Sequence, residues 1–256
     1  MRVVRLAGEV DLEGFRVGAR AALARAASPE TVRFLVGGDD LFAASESQER
    51  PGEENVVATA PRVPRRFLDL LDQAGRHRDA ARFDLLYRAL WRLRDQPGLL
   101  DVASDPLVRR LEDMARAVRR DRHKMTAFVR FREIATPEGA RFVAWFEPEH
   151  FVEEWAATHF ADRFAAMEFA ILTPRVSIVW SGGRLSFGPG GRRTDAPRGD
   201  AFSGAWDVYY RSIFNPARLA PKAMLKEMPK KYWRNLPETR QIPALVAGAR
   251  ARAEAF

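Results

Sequence analysis

The chain has 256 residues, enough for one large domain or two small ones with a substantial core and no covalent staples. It contains no cysteine, which excludes disulfides, zinc ribbons, thiolate nucleophiles and iron–sulfur ligation. Against 34 acidic residues stand 42 Lys and Arg, a net charge of +8. No apolar run approaches the roughly 20 residues of a membrane span, and the first residues lack a signal-peptide pattern, so no membrane association and a cytoplasmic location are expected.

Val3 to Leu6 predicts a short strand, followed by a helix through Phe15, Ala19 and Leu23. Val32 to Val36 predicts a second strand ending at the turn signal Gly37-Gly38-Asp39. This is a small βαβ-like unit, and its Gly pair lacks the spacing of a dinucleotide fingerprint. Ser45 to Asn55 reads as an exposed acidic loop, with a further strand opening at Val56 and Val57.

Three basic amphipathic helices follow. Pro64 opens the first, which stops at Gly75, and the second carries the stripe Phe83, Leu86, Tyr87, Leu90 and Trp91. Asp105-Pro106 caps the third, with Leu107, Val108, Leu111, Met114 and Val118 on its apolar side. From Met125 the period changes to alternation. Thr126 to Ile134 predicts a strand with Phe128, Arg130 and Arg132 on one side, paired through Pro137-Glu-Gly with Arg141 to Phe146. A helix over 151–164 and a second hairpin, Arg175 to Trp180 and Arg184 to Phe187 about Gly182-Gly183, complete an antiparallel ββαββ sheet. Helices over 202–214, 221–228 and from Pro243 close the chain.

The fold class expected is therefore α+β, with that sheet embedded among helices and a small α/β N-terminal unit. The expected division is 1–60 for the small unit and 61–256 for the main domain, comprising basic helices over 64–122, the sheet over 125–187 and C-terminal helices over 202–255. One continuous domain is the alternative.

Charge is unevenly placed. Residues 61–132 carry a net +8 and residues 184–240 a net +7, against −3 in 1–60 and −5 in 133–183. Arginine outnumbers lysine 37 to 5, which a GC-rich genome alone can produce. Alternating blocks are not explained that way, and two basic blocks on one face would attract a polyanion.

The densest constellation is Met228-Pro-Lys-Lys-Tyr-Trp-Arg-Asn. Cations following phosphates and rings stacking on bases are what single-stranded nucleic acid requires, which singles out Lys230, Lys231, Tyr232, Trp233 and Arg234. The alternative is a capped connector whose two aromatics are core. Arg119, Arg120, Arg122 and Lys124 cluster at a helix end, where cations also satisfy the dipole. Arg130 and Arg132 share a strand face, and Arg192 and Arg193 follow a Gly-Pro-Gly-Gly run that reads as an anion-binding nest or as a flexible hairpin exit. Trp206, Tyr209 and Tyr210 share a helix face, better explained by packing. The titratable candidates for catalysis are His123, His150, Glu147 and Tyr210. No zinc-binding spacing, phosphate-binding loop or nucleophile elbow is present, so no metal or cofactor is expected.

Val63-Pro-Arg-Arg-Phe-Leu-Asp, Arg82-Phe-Asp-Leu-Leu-Tyr-Arg-Ala-Leu-Trp-Arg-Leu, Arg122-His-Lys-Met-Thr-Ala-Phe-Val-Arg-Phe-Arg, Trp145-Phe-Glu-Pro and Glu227-Met-Pro-Lys-Lys-Tyr-Trp-Arg-Asn-Leu-Pro-Glu together resemble a bacterial family associated with DNA metabolism and DNA repair, whose shared domain has no assigned function. The resemblance covers nearly the whole chain. It implies a DNA-repair setting, with a radical-SAM repair protein encoded nearby and, in some members, an N-terminal fusion to a uracil-DNA-glycosylase-like domain. No motif of the glycosylase is present here, and the radical chemistry, needing cysteines, belongs to the partner. The expectation is a DNA-binding protein accessory to a repair enzyme. An enzyme acting on DNA through an unrecognised site, and a protein scaffold, are the alternatives.

Overall fold

The computed structural model describes residues 1–37, 63–136, 139–197 and 220–254. These fall into two compact units, Met1–Asp121 with Glu149–Val152, and Arg122–Pro148 with Glu153–Phe256. The class is α+β, as the periodicities imply. Among the described residues no helix is long and apolar enough to cross a membrane.

The first unit begins as a βαβ motif. Strand β1 (Arg2–Leu6) pairs in parallel with β2 (Val32–Val36), Arg2 opposite Val32 and Leu6 opposite Val36, and helix α1 (Leu12–Ala24) makes the crossover. Asp11 starts that helix: its carboxylate accepts from the Gly14 amide at 2.8 Å and from the Ala7 amide at 2.8 Å. Phe15, on the inner face of α1, lies 4.9 Å from Phe34 and 5.3 Å from Phe83 between ring centroids. Helices α2 (Arg65–Ala74), α3 (Arg82–Arg92) and α4 (Pro106–Phe128) follow, the first two carrying the expected stripes. One continuous core joins Phe15, Phe34, Phe67, Leu71, Phe83, Leu86, Tyr87 and Leu111. Tyr87 donates its hydroxyl to the Ala27 carbonyl at 2.6 Å, and burial pushes the phenol up to about 12. Asp105 caps α4, accepting from the Leu107 and Val108 amides at 2.9 and 3.2 Å.

The second unit holds a five-stranded sheet in chain order: β3 (Arg132–Thr136), β4 (Gly139–Trp145), β5 (Phe169–Leu172), β6 (Val176–Ser181) and β7 (Arg184–Pro189). Helix α5 (Glu153–Arg163) connects β4 to β5, which run parallel; the other pairs are antiparallel. The β6–β7 hairpin turns at Gly182 (φ 56°) and Gly183 (φ 73°), both in the left-handed region that a two-residue I′ turn demands. Helices α6 (Pro221–Glu227) and α7 (Ile242–Glu254) flank two 3-10 segments, Lys230–Asn235 and Pro237–Gln241.

Two expectations are corrected. The strand placed from Thr126 begins only at Arg132, because α4 continues to Phe128. Leu111, Val118 and Met125 recur every seven residues and are all fully buried, so the helical stripe outweighs a short local alternation. The sheet is mixed, not wholly antiparallel, and has the additional strand β5. Its four residues alternate buried Phe169 and Ile171 with half-buried neighbours, a signal too short to separate from the preceding helix. The α5 crossover is long enough to return the chain in parallel.

Gly38, Asp39, the 45–57 segment, Pro137, Glu138 and the helix expected over 202–214, with Trp206, Tyr209 and Tyr210, lie outside the described residues.

Candidate anion site: an arginine-lined cavity

The second unit contains a cavity of about 430 Å³ lined by Arg130, Arg132, Arg193, Arg234 and Arg240. Val143, Trp145, Thr194, Ala196, Pro197 and Asn235 complete its wall. The sheet register explains part of this. Arg132 sits opposite Val143, and Val143 and Trp145 are two residues apart on β4, so all three project from one face. Tyr232 explains another part. It is buried, lying flat on Phe146 at 5.4 Å and 8° and beside Phe128 at 5.4 Å. That anchor fixes the 3-10 segment from which Arg234 and Asn235 reach the cavity. The Thr239 hydroxyl, donating to the Leu236 carbonyl at 2.7 Å, ties down the turn before Arg240.

The guanidinium groups are held in place mostly by neutral oxygens. Arg132 donates to the Pro197 carbonyl. Arg193 forks onto the Asn235 side-chain oxygen and, at 3.1 Å, the Arg234 carbonyl. Arg130 donates to the Ala127 carbonyl at 2.8 Å. Arg234 is paired with Glu147, which also accepts from the Trp145 indole N–H at 2.8 Å. Burial first, then the cations Arg234 and Arg132, hold Arg193 below the usual arginine range, with Glu147 opposing. Five like charges converging on one volume, with Glu147 paired to Arg234, favour an anion between them.

Arg130 and Arg132, at the end of the first basic block, line the cavity with Arg193, Arg234 and Arg240 of the second. Of the residues singled out from sequence, Arg130, Arg132, Arg193 and Arg234 line the cavity. The others do not. Arg119 and Arg120 are exposed in the first unit, Arg119 bonded to Gln73. Arg122 lies over the Trp155 ring at 4.2 Å, and Lys124 stands 6.0 Å from the Tyr232 ring. Arg192 is exposed, its amide donating to Asp195 at 2.7 Å. Lys230 and Lys231 are exposed, near the rings of Trp233 and Tyr232. Tyr232 is core, so its ring offers no face to a base. Trp233 is half-buried, its N–H donating to the Met228 carbonyl at 3.0 Å.

Sequence reading missed Trp145, Asn235 and Arg240. Trp145 and Asn235 stand within the long motifs, yet nothing local separates a cavity wall from core.

The catalytic candidates do not assemble. His123 is exposed on α4. His150 is buried in the first unit, its ring 4.3 Å from that of His77 and its Nδ1 accepting from the Arg78 amide at 3.3 Å. Glu147 is engaged by Trp145 and Arg234, and Tyr210 is not among the described residues. Among the described residues no group of three His, Asp or Glu is placed to hold a metal ion.

Residues 80–238 match a family described as a domain of unknown function, DUF4130. The chain belongs to this family. The matched span includes every cavity-lining residue except Arg240. No curated protein and no solved structure matches the chain.

Proposed function

We propose that the protein binds DNA through its phosphates and serves a repair enzyme as an accessory factor. The observation that carries this reading is the convergence of five arginines from two basic blocks on one cavity. Guanidinium forks match phosphate oxygens two at a time, so several arginines on one volume suit a phosphate-bearing polyanion. The resemblance to DNA-repair proteins supports the setting and names the kind of partner: a radical-SAM repair protein, or a uracil-DNA-glycosylase-like domain.

Titrating labelled single- and double-stranded DNA at two salt concentrations tests it. Affinity should fall steeply with salt, with a log–log slope of about 0.9 for each phosphate neutralised on duplex. Changing Lys230 and Lys231 to alanine should weaken all sequences alike. Absent or salt-insensitive binding refutes the reading. Product formation from damaged oligonucleotides, lost on His123→Gln or His150→Gln, would replace the accessory role with catalysis.

A further inference from the structure

The cavity gathers more positive charge on one volume than passage of a phosphodiester backbone requires. Backbone tracking uses cations strung along an open groove, one per phosphate. Here five arginines from separate segments, β3 and its approach, the Arg193–Asp195 turn and the two 3-10 segments, surround one volume. An internal phosphodiester has chain on both sides and carries one negative charge. A terminal phosphate monoester has three free oxygens and close to two charges at neutral pH, since its second pKa is about 6. Its extra oxygen and charge let it engage more guanidinium forks at once than a diester.

Volume argues the same way. At about 430 Å³ the cavity lies in the range of small-molecule sites and exceeds the space of a bare phosphate group. Val143 and Trp145 supply an apolar wall, and Thr194 and Asn235 supply neutral polar groups, so sugar and base have matching surfaces beside the arginines. Arg132 and Arg193 are already positioned by the Pro197 carbonyl and the Asn235 amide oxygen, neutral acceptors that orient the donors without taking up their charge. That arrangement is preorganised for an anion.

We infer that the cavity is a binding site for a terminal phosphate monoester on a nucleotide, namely the phosphorylated end of a DNA strand. Its assignment to a strand end rests on the DNA-binding reading above; the monoester chemistry does not. Glu147 is a positioning residue, steering Arg234 and the Trp145 indole toward the cavity.

The test uses the full chain and internally labelled short single strands bearing a 5′-phosphate, a 3′-phosphate or hydroxyls at both ends, with thymidine monophosphate and inorganic phosphate as competitors. One phosphorylated end should bind about tenfold more tightly than the hydroxyl-ended strand, the gain of one further charge-assisted contact set. Arg193→Gln should abolish that preference, weakening phosphorylated ends more than hydroxyl-ended strands, and Arg193→Lys should restore part of it. Arg20→Gln, exposed on the outer face of α1 in the first unit, should leave it intact. The preference should weaken below pH 6 as the monoester takes up its second proton. Equal affinity for phosphorylated and hydroxyl ends overturns the inference while DNA binding stands. Binding of thymidine monophosphate without any oligonucleotide overturns the DNA reading and keeps the monoester site. Binding of neither the monophosphate nor a phosphorylated end overturns the site itself.

Discussion

Arg82 is the largest fully buried side chain among the described residues, at 1% exposure, and replacing it with methionine tests how its unit is held together. Its Nε donates to the Gly75 carbonyl at 2.9 Å and Nη1 to the Asp79 carbonyl at 3.2 Å. Nη2 donates to the Glu9 carbonyl at 2.7 Å and the Glu9 carboxylate at 2.6 Å. The guanidinium also lies over the rings of Phe83, at 4.6 Å, and Phe151, at 5.0 Å. Arg82 is buried, but the Glu9 side chain is 51% exposed and solvent screens its charge, so a glutamine that keeps the hydrogen bond loses less than about 1 kcal/mol. The carbonyls are a different matter. Gly75 is buried and cannot reach water, and an orphaned buried acceptor costs about 1–3 kcal/mol. With partial losses at Asp79 and Glu9, Arg82→Met should destabilise by about 3 kcal/mol, whereas Glu9→Gln should cost less than about 1. Amide exchange of peptides from α1 and α3 across a urea series reads this unit by itself. If Glu9→Gln costs as much as Arg82→Met, the ion pair holds the unit together and the reasoning fails. A near-neutral Arg82→Met refutes it equally.

Three further outcomes follow from particular contacts. A Cβ on Gly190 would collide with the Pro174 carbonyl, so Gly190→Ala should displace the segment leading to Arg193 and weaken phosphate binding severalfold, read by anisotropy with the melting temperature as control. Burial, aided by Arg78, Arg110 and Arg82 and opposed by Asp79, holds His77 below the usual histidine range, and its ring packs on His150. A lowered folded pKa means that the unfolded chain takes up the proton first. His77 therefore contributes stability fully above about pH 6.5 and loses it as the pH falls toward the folded value, so His77→Asn should flatten the decline in urea midpoint between pH 7 and 5.5. An unchanged slope would assign the decline to other groups. Phe15→Ala, removing a ring packed between Phe34 and Phe83, should cost about 3–5 kcal/mol by denaturant titration; a loss below about 1 would show that the core closes over the gap.

The elements that sequence placed well are those with long periods or strong local chemistry. The stripe of α3, the Asp105 cap and the Gly182-Gly183 turn are written in spacing and residue type, because a helix face or a left-handed turn is dictated within a few residues. Short segments were not. Three residues after Met125 fit a strand or a helix equally, and burial of Met125 on the stripe of Leu111 and Val118 resolved them. The parallel β4–β5 pairing depends on where α5 returns the chain, which no local pattern encodes.

The candidate site divides in the same way. Composition and the two basic blocks established that arginine is concentrated, and the long motifs carried the family resemblance. Which arginines lie together was decided by register and anchoring: Arg132 beside Val143 across β3 and β4, and Arg234 carried on a segment pinned by Tyr232 against Phe146. Tyr232 and Trp145 illustrate the physical reason. An aromatic ring in a sequence is a candidate both for core and for ligand, and only the neighbours it meets, residues from remote parts of the chain, decide which face remains open.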